Sequence, residues 1–304
     1  MSNAPDTRRG LLWAFCGSAG AAAFLIPWKI AVEHGEPQLA VLMLLSTAAL
    51  FNSGTALVNL RRAGGGGPAG TSWRATLQLS CAFAVLTLLG NWCSAEAISR
   101  ISGALLAVVQ RSEVILVALL GALLLREGVR SSFWVGTAMA GIGLWILQRP
   151  GSTAGDFDPL GVLYGLASAA CFGSMVLLTR RWVSRVKLVP MNAIRLWMSV
   201  ALWFSVEQRI PRGDELPAEL VAGGALAGFF GPFLARLSIL QSSRYIPANT
   251  TALAALATPV LALLFAFFVL GTLPTERELL GGAVMLVGIA VPVTAMWLSA
   301  RRSR

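Results

Sequence analysis

The feature that most constrains this chain is a succession of ten long apolar stretches separated by short loops. They cover roughly residues 10–32, 39–60, 73–94, 99–125, 131–148, 159–182, 190–206, 218–241, 248–270 and 277–299. A helix of about 20 mostly apolar residues crosses the hydrocarbon core of a bilayer. None of the stretches alternates apolar and polar residues as the strands of a membrane barrel do. We therefore predict an all-α integral membrane protein with ten transmembrane helices.

Composition excludes the common soluble classes. Hydrophobic residues make up 56% of the 304-residue chain and charged residues only 12%, whereas soluble domains carry about a quarter charged residues. A net charge of +10 would suit nucleic acid, but the charges lie in short loops between the spans. We expect the lipid bilayer as surroundings and no nucleic acid as partner.

Cysteine placement gives no sign of a metal site. The four cysteines all fall within apolar spans and lack the spacing of metal ligands, and buried free thiols are the ordinary state of such residues. We expect neither a metal nor a cofactor.

Loop charges predict the orientation. With the N-terminus in the cytoplasm, fifteen basic residues fall in cytoplasmic segments and five in the opposite loops, where eleven of the fourteen acidic residues also lie. Short cytoplasmic loops carry an excess of Lys and Arg, so we predict that both termini are cytoplasmic. The preference for Arg over Lys, with abundant Ala and Gly, indicates a GC-rich genome and hence a bacterial cytoplasmic (inner) membrane.

The two halves of the chain are similar. Residues 99–145 align with residues 244–290 at a shift of 145, with identity at eight of 47 positions. Five helices in each half is an odd number, so the second half must be inverted in the membrane. We predict a first repeat at 1–147, a connector at 148–158 and a second repeat at 159–304. Inverted repeats are typical of transporters, whose substrate site lies between them near mid-membrane.

Short motifs in both halves carry a family resemblance. Residues 25–33, LIPWKIAVE, resemble the first helix of EamA-type members of the drug/metabolite transporter superfamily. Residues 123–127 with Gly136 and 141–143 resemble that family's junction of helices four and five, and residues 257–260 resemble the counterpart in the second half. The resemblance implies a 5+5 transporter with a central cavity and no cofactor. Its members export amino acids and other metabolites or carry nucleotide-sugars and sugar-phosphates.

Charges in the fourth span are the first candidates for substrate contact. An ionisable side chain inside a bilayer is costly and normally faces protein or water. Arg111 and Glu113 lie mid-span but about 200° apart around a helix, whereas Gln110 shares the face of Glu113. We expect one charge to face the cavity and the other to bind a neighbouring helix. A structural role for both is the alternative.

The remaining candidates come from polar stripes in other spans. In the seventh span Arg195 shares a stripe with Asn192 and Ser199, and its alternative role is to extend to the membrane interface. Uncharged groups in such stripes often only join helices. The full set of candidate translocation residues is Gln110, Arg111, Glu113, Asn91, Tyr164, Arg195, Trp197 and Asn249.

These features predict a transporter that exports small metabolites, in particular amino acids or similar zwitterions, by alternating access through a central cavity. Deep charges of both signs favour a zwitterion. The alternatives are an exchanger or importer of sugar-phosphates, nucleotide-sugars or organic cations, a channel, or a membrane-embedded enzyme. Catalysis is disfavoured because Glu113 is the one deep acid and the only histidine, His34, lies in an outer loop. We expect a small-molecule substrate and a monomer or weak dimer, and leave proton coupling, exchange and facilitated diffusion open.

Overall fold

A computed structural model describes residues 7–62, 71–101, 131–147 and 158–247, and scattered positions within 106–117 and 250–291. This part of the chain is helical and contains no strand. The helices are α1 (Thr7–Glu33), α2 (Pro37–Arg62), α3 (Trp73–Ile98), α4 (Ser131–Leu147), α5 (Pro159–Trp182), α6 (Leu188–Glu207) and α7 (Ala218–Ser242), with a 3-10 turn at Gly213–Glu215.

Six of these helices, α1 to α3 and α5 to α7, are long and apolar enough to cross a membrane. They correspond to the first three and the sixth to eighth predicted spans, and their ends agree with the predicted ends within about four residues. The all-helical transmembrane class is therefore confirmed. The described positions within 106–117, 250–268 and 280–291, which belong to the fourth, ninth and tenth spans, are helical but do not delimit a helix, so the number ten stays a prediction.

Local sequence sets the ends of the helices nearest the centre of the chain. The side chain of Asp158 caps α5 by accepting a hydrogen bond from the Leu160 amide at 2.9 Å, and Pro159 occupies the first helical position, where its missing N–H is not needed. Helix α6 ends at Glu207, and the next residue, Gln208, has a φ of 51° and donates its amide to the Phe204 carbonyl at 3.0 Å. The chain then reverses toward α7.

Helix α7 contains a widened segment, Phe229–Ala235, with π-helical hydrogen bonding around Pro232. Proline has no N–H and its ring clashes with the carbonyl of the preceding turn, and a local π turn absorbs this conflict without breaking the helix. Pro232 thus interrupts the regular α-helical hydrogen bonding of its span. The carbonyl of Pro232 is left to accept a hydrogen bond from another helix, as described below.

Helices of the first half pack mainly on helices of the second half, in matching pairs. Helix α1 packs on α7, α3 packs on α5, and α2 packs on α6. A Cβ added to Gly10 would lie 2.6 Å from Cγ2 of Ile246, and one added to Gly161 would lie 2.7 Å from Cγ2 of Ile101. Gly10 corresponds to Gly161, and Ile101 to Ile246, when the halves are exchanged. The same close approach thus occurs twice.

The two ends of the helix bundle differ in charge. At one end the Ser72 amide donates to the Arg185 carbonyl at 2.9 Å, and Arg180 donates to the Ser243 carbonyl at 2.9 Å. We call this the basic end because it holds Arg8, Arg9, Arg61, Arg74, Arg180, Arg181, Arg185, Lys187 and Arg244. The opposite, acidic end holds Glu33, Glu36, Glu96, Asp158, Glu207, Asp214, Glu215 and Glu219. The separation read from the loops is thus a property of the folded bundle.

Candidate functional site

The most deeply buried charge in the described part of the chain is Arg195 of α6, which is 1% exposed. Its Nε donates to Oδ1 of Asn192 at 2.7 Å, its Nη1 donates to Oγ1 of Thr87, and its Nη2 donates to the Pro232 carbonyl at 3.4 Å. These acceptors belong to α6, α3 and α7. The guanidinium therefore joins three helices through neutral acceptors, and it does not extend to the membrane interface as one reading of the sequence expected.

A fourth helix joins the same network. The amide Nδ2 of Asn192 donates to Oδ1 of Asn52 in α2, and Nδ2 of Asn52 donates to the Ala48 carbonyl at 2.8 Å. We call Arg195, Asn192, Thr87, Asn52 and the Pro232 carbonyl the Arg195 clamp. Its geometry favours a role in holding α2, α3, α6 and α7 together over a role as a substrate ligand.

A second polar group lies between the fourth predicted span, α3 and α5. Nε2 of Gln110 lies 3.2 Å from Oγ of Ser94 and 3.4 Å from Oγ of Ser168, and it donates to both hydroxyls. The hydroxyl of Ser168 in turn donates to the Gly90 carbonyl at 2.9 Å. Gln110 is half-buried, so the amide both links helices and borders accessible space.

Glu113 lies three residues further on the same helical face and contacts α5. A Cβ added to Gly173 would lie 3.3 Å from Cγ of Glu113, so the absence of a side chain at Gly173 makes room for the glutamate. Arg236 of α7 lies within electrostatic range of this carboxylate. The Cζ of Arg236 also lies 4.7 Å from the ring centroid of Phe172, a cation–π distance.

Glu113 and Arg236 differ from Arg195 in exposure, because both are only partly buried. We call Gln110, Glu113 and Arg236 the charged site. It offers one carboxylate, one guanidinium and one amide in the interior of the bundle, and it is supported by the aromatic ring of Phe172. A small ligand carrying both charges would find a partner for each.

The structure places three further predicted residues away from the charged site. Asn91 is buried and donates to the Thr87 carbonyl of its own helix at 2.7 Å, which puts it beside the Arg195 clamp. Tyr164 lies at the acidic end, with Cζ of Arg100 5.7 Å from its ring centroid. Trp197 is 45% exposed on the other side of α6 from Arg195.

The last two predicted residues, Arg111 and Asn249, lie outside the described residues. Of the eight candidates, the structure therefore brings Gln110 and Glu113 together, places Arg195 and Asn91 beside Thr87, and sets Tyr164 and Trp197 apart.

Arg236 is not among the residues predicted from the sequence, although it lies within the eighth predicted span. A signal was present in the repeat, since Arg236 stands 145 residues after the selected Asn91. The same shift pairs Glu113 with Thr258, so the acid has an uncharged counterpart in the second half. The repeat thus supplies two similar scaffolds, on which the charged side chains are placed asymmetrically.

Ion pairs join the loops at the acidic end. Arg209 pairs with Glu36, with Glu215 at 3.8 Å and with Glu207 at 3.9 Å, and the hydrogen bond to Glu36 raises the pKa of the arginine above its ordinary value. These pairs connect the α1–α2 loop to the loop after α6. A further ion pair joins the end of α3 to the start of α5, where Nη1 of Arg100 lies 3.7 Å from Oδ2 of Asp158. In this structure ion pairs therefore link the loops at the acidic end.

Comparison with known proteins agrees with this architecture. A curated relative, the uncharacterized transporter YwfM of Bacillus subtilis (strain 168), is 23% identical over 167 residues, which is 55% of this chain and 56% of the relative's length. A protein of known crystal structure shares the fold with a TM-score of 0.74 at 17% identity, over 97% of this chain and 99% of its own. The model of the EamA-like transporter family matches twice, at residues 8–149 and 159–294. The chain therefore belongs to the EamA-like transporter family.

Proposed function

We propose that this protein exports a small zwitterionic metabolite, such as an amino acid, across the bacterial cytoplasmic membrane. Membership of a transporter family of the drug/metabolite superfamily gives the general activity. The substrate class rests on one observation: Glu113 and Arg236 are both partly exposed and lie against adjacent residues of α5, Gly173 and Phe172. Arg236 would bind the substrate carboxylate through charge-assisted hydrogen bonds, and Glu113 would bind its ammonium group.

An organic anion such as a sugar-phosphate, whose phosphate carries a charge of about −1.5 to −2 at neutral pH, is the second candidate. Arg195 lies close enough to Arg236 for their charges to interact, so two cations stand against one acid among the deep charges that the structure describes. That excess favours an anion. The zwitterion remains the better fit because the charge of Arg195 already binds neutral acceptors and its side chain is inaccessible. A purely cationic substrate would be repelled by Arg236.

We infer alternating access from the paired packing of the two halves. The equivalent close contacts of Gly10 and Gly161, and the packing of α1 on α7 and α3 on α5, support two repeats that are inverted with respect to each other. By the positive-inside rule the basic end faces the cytoplasm. Opening toward the outside would then separate the Arg100–Asp158 pair, which joins α3 to α5 at the acidic end.

The Arg195 clamp indicates which helices stay together during this motion. It joins α2, α3, α6 and α7 through hydrogen bonds between buried side chains and one carbonyl. Because buried bonds of this kind hold one packing arrangement, we expect these four helices to move little. Glu113 of the fourth span is not part of the clamp, so movement of that span would change the access to the charged site.

Counterflow in reconstituted vesicles tests the proposal. The probes are a labelled neutral amino acid, its decarboxylated amine, its N-acetylated anion and a sugar-phosphate. We expect saturable counterflow of the amino acid, a much smaller flux of the amine, and loss of amino acid flux in Glu113→Gln. Glu219→Gln is the matched control, because Glu219 is exposed at the acidic end. Flux that fails to saturate would indicate a channel, and preference for the sugar-phosphate would support the second candidate.

A further inference from the structure

We propose that the basic end carries a binding site for the phosphate of an anionic phospholipid. The site is the surface formed by the start of α3 and the tight turn between α5 and α6, and we call it the lipid site. Its residues are Trp73, Arg74, Trp182, Arg185 and Lys187. The proposal concerns the surrounding bilayer and does not depend on which substrate is transported.

The turn that presents these cations is fixed to α3. The Ser72 amide donates to the Arg185 carbonyl at 2.9 Å, and the Lys187 amide donates to Oγ1 of Thr76 at 3.0 Å. Between them Val186 is fully buried in an apolar cluster with Leu79. The basic side chains therefore extend from a rigid backbone, which lowers the conformational cost of binding a ligand.

Two tryptophans hold the cations at the membrane interface. Nζ of Lys187 lies 4.5 Å from the ring centroid of Trp73, and Cζ of Arg185 lies 5.6 Å from that of Trp182. Tryptophan side chains concentrate at the level of lipid headgroups. An arginine over the face of a ring keeps its N–H groups available, and it donates them in a planar fork that suits phosphate. The geometry thus presents phosphate donors at headgroup depth.

The two arginines of the lipid site differ from Arg209 at the acidic end, which forms ion pairs. Within the part of the chain that the structure describes, no carboxylate lies within 4 Å of Arg74 or Arg185, and both side chains are exposed. The nearby Arg181 is also exposed and makes no ion pair there. Clusters of basic residues immediately cytoplasmic of transmembrane helices attract anionic headgroups.

The neighbouring surface favours a lipid over a soluble phosphate. Trp73, Leu77 and Cys81 follow one another at four-residue spacing along α3 and are all exposed, Trp73 by 48% and Leu77 by 53%. Residues at this spacing lie on one face of a helix. A phosphate bound at Arg74 and Arg185 would therefore have an apolar strip beside it, directed toward the membrane interior, on which an acyl chain can lie.

Native mass spectrometry of the detergent-solubilised full chain tests the lipid site. Phosphatidylglycerol and phosphatidylcholine with identical acyl chains are titrated separately. We expect phosphatidylglycerol to bind about tenfold more tightly, and this preference to be lost in the Arg74→Ala/Arg185→Ala double variant. The matched control, Arg8→Ala/Arg61→Ala, removes the same charge from the same end and should keep the preference. The Arg74→Lys/Arg185→Lys variant keeps the positive charges, and melting temperatures are measured for all variants. Together they separate loss of binding from loss of folding.

Two results would overturn the proposal. An undiminished preference in a folded Arg74→Ala/Arg185→Ala protein would show that the lipid binds elsewhere, and an equal loss in the control would show only a diffuse basic surface. Glycerol 3-phosphate serves as the soluble competitor. If it displaces phosphatidylglycerol at equal concentration, the acyl chain contributes nothing and the site takes a soluble phosphate.

Discussion

Replacing Arg195 by methionine should destabilise the protein without changing its affinity for substrate. The variant keeps most of the side-chain length and removes the guanidinium with its hydrogen bonds to Asn192, Thr87 and Pro232. Interhelical hydrogen bonds in membrane proteins average about 0.6 kcal/mol, and charge-assisted bonds are about twice as strong as neutral ones. Two such interhelical bonds, together with the bond to Asn192 within α6, give a loss of roughly 2–4 kcal/mol. Relief from burying a cation offsets part of it, so we expect a net loss of about 1–2 kcal/mol.

The free energy of unfolding is best measured by titrating SDS into mixed micelles. Thr87→Val removes one acceptor, and the double variant completes a thermodynamic cycle in which the coupling with Arg195→Met should be about 0.6–1.7 kcal/mol. Ser53→Ala is the matched control, because Ser53 accepts only from the exposed Trp197 among the bonds found in the described residues. KM for the transported substrate should stay within about twofold in folded Arg195→Met protein, which corresponds to less than about 0.5 kcal/mol of binding energy.

The reverse pattern would refute this reasoning. If Arg195→Met unfolds at the same SDS concentration as the parent while KM rises tenfold, Arg195 contacts the substrate and the clamp is not a structural device. A coupling near zero with Thr87→Val would likewise show that the bond between these two residues contributes nothing.

Two further predictions concern packing and topology. Gly228→Ala should lower the melting temperature by several degrees, because the added Cβ would lie 2.5 Å from a backbone oxygen of α2. Gly54→Ala should not lower it, because nothing lies within 4 Å of its added Cβ. Equal melting temperatures of the two variants would contradict this packing. In a cysteine-free background, Ser184→Cys and Asp214→Cys should react with an impermeant maleimide from opposite sides of the membrane, with Ser184 facing the cytoplasm, and labelling from the same side would end the proposed orientation.

The lengths of the apolar runs and the charges of the loops predict most of the fold. A run of about 20 apolar residues has few stable states other than a membrane-spanning helix, so helices such as α5 and α6 were located to within two residues from hydropathy alone. Loop charges also anticipated the basic and acidic ends of the bundle. The glycine pair Gly10 and Gly161 marks the same close approach in both halves.

The site was only partly predictable, because helical spacing identifies the residues that share a face but not the helix that covers it. Arg195 and Asn192 do share a face, yet only the positions of Thr87 and Asn52 show that this face is enclosed. Arg236 is missing from the predicted set for a related reason, because Glu113 belongs to a distant span. When the partner of a charged residue lies on a distant span, the residues next to it in sequence do not show whether it binds substrate or joins helices.

The central claim is that Glu113 and Arg236 bind the two charges of a zwitterion, and the preference for that zwitterion tests it most directly. The quantity is the ratio of Kd for the decarboxylated amine to Kd for the amino acid, measured by equilibrium binding to purified parent, Arg236→Gln and Arg61→Gln proteins. We predict a ratio of ten or more for the parent and for Arg61→Gln, since a buried charge-assisted bond contributes about 1.5–3 kcal/mol, and a ratio near one for Arg236→Gln. A ratio in folded Arg236→Gln protein equal to that of the parent would contradict the account, because the substrate carboxylate would then be bound elsewhere.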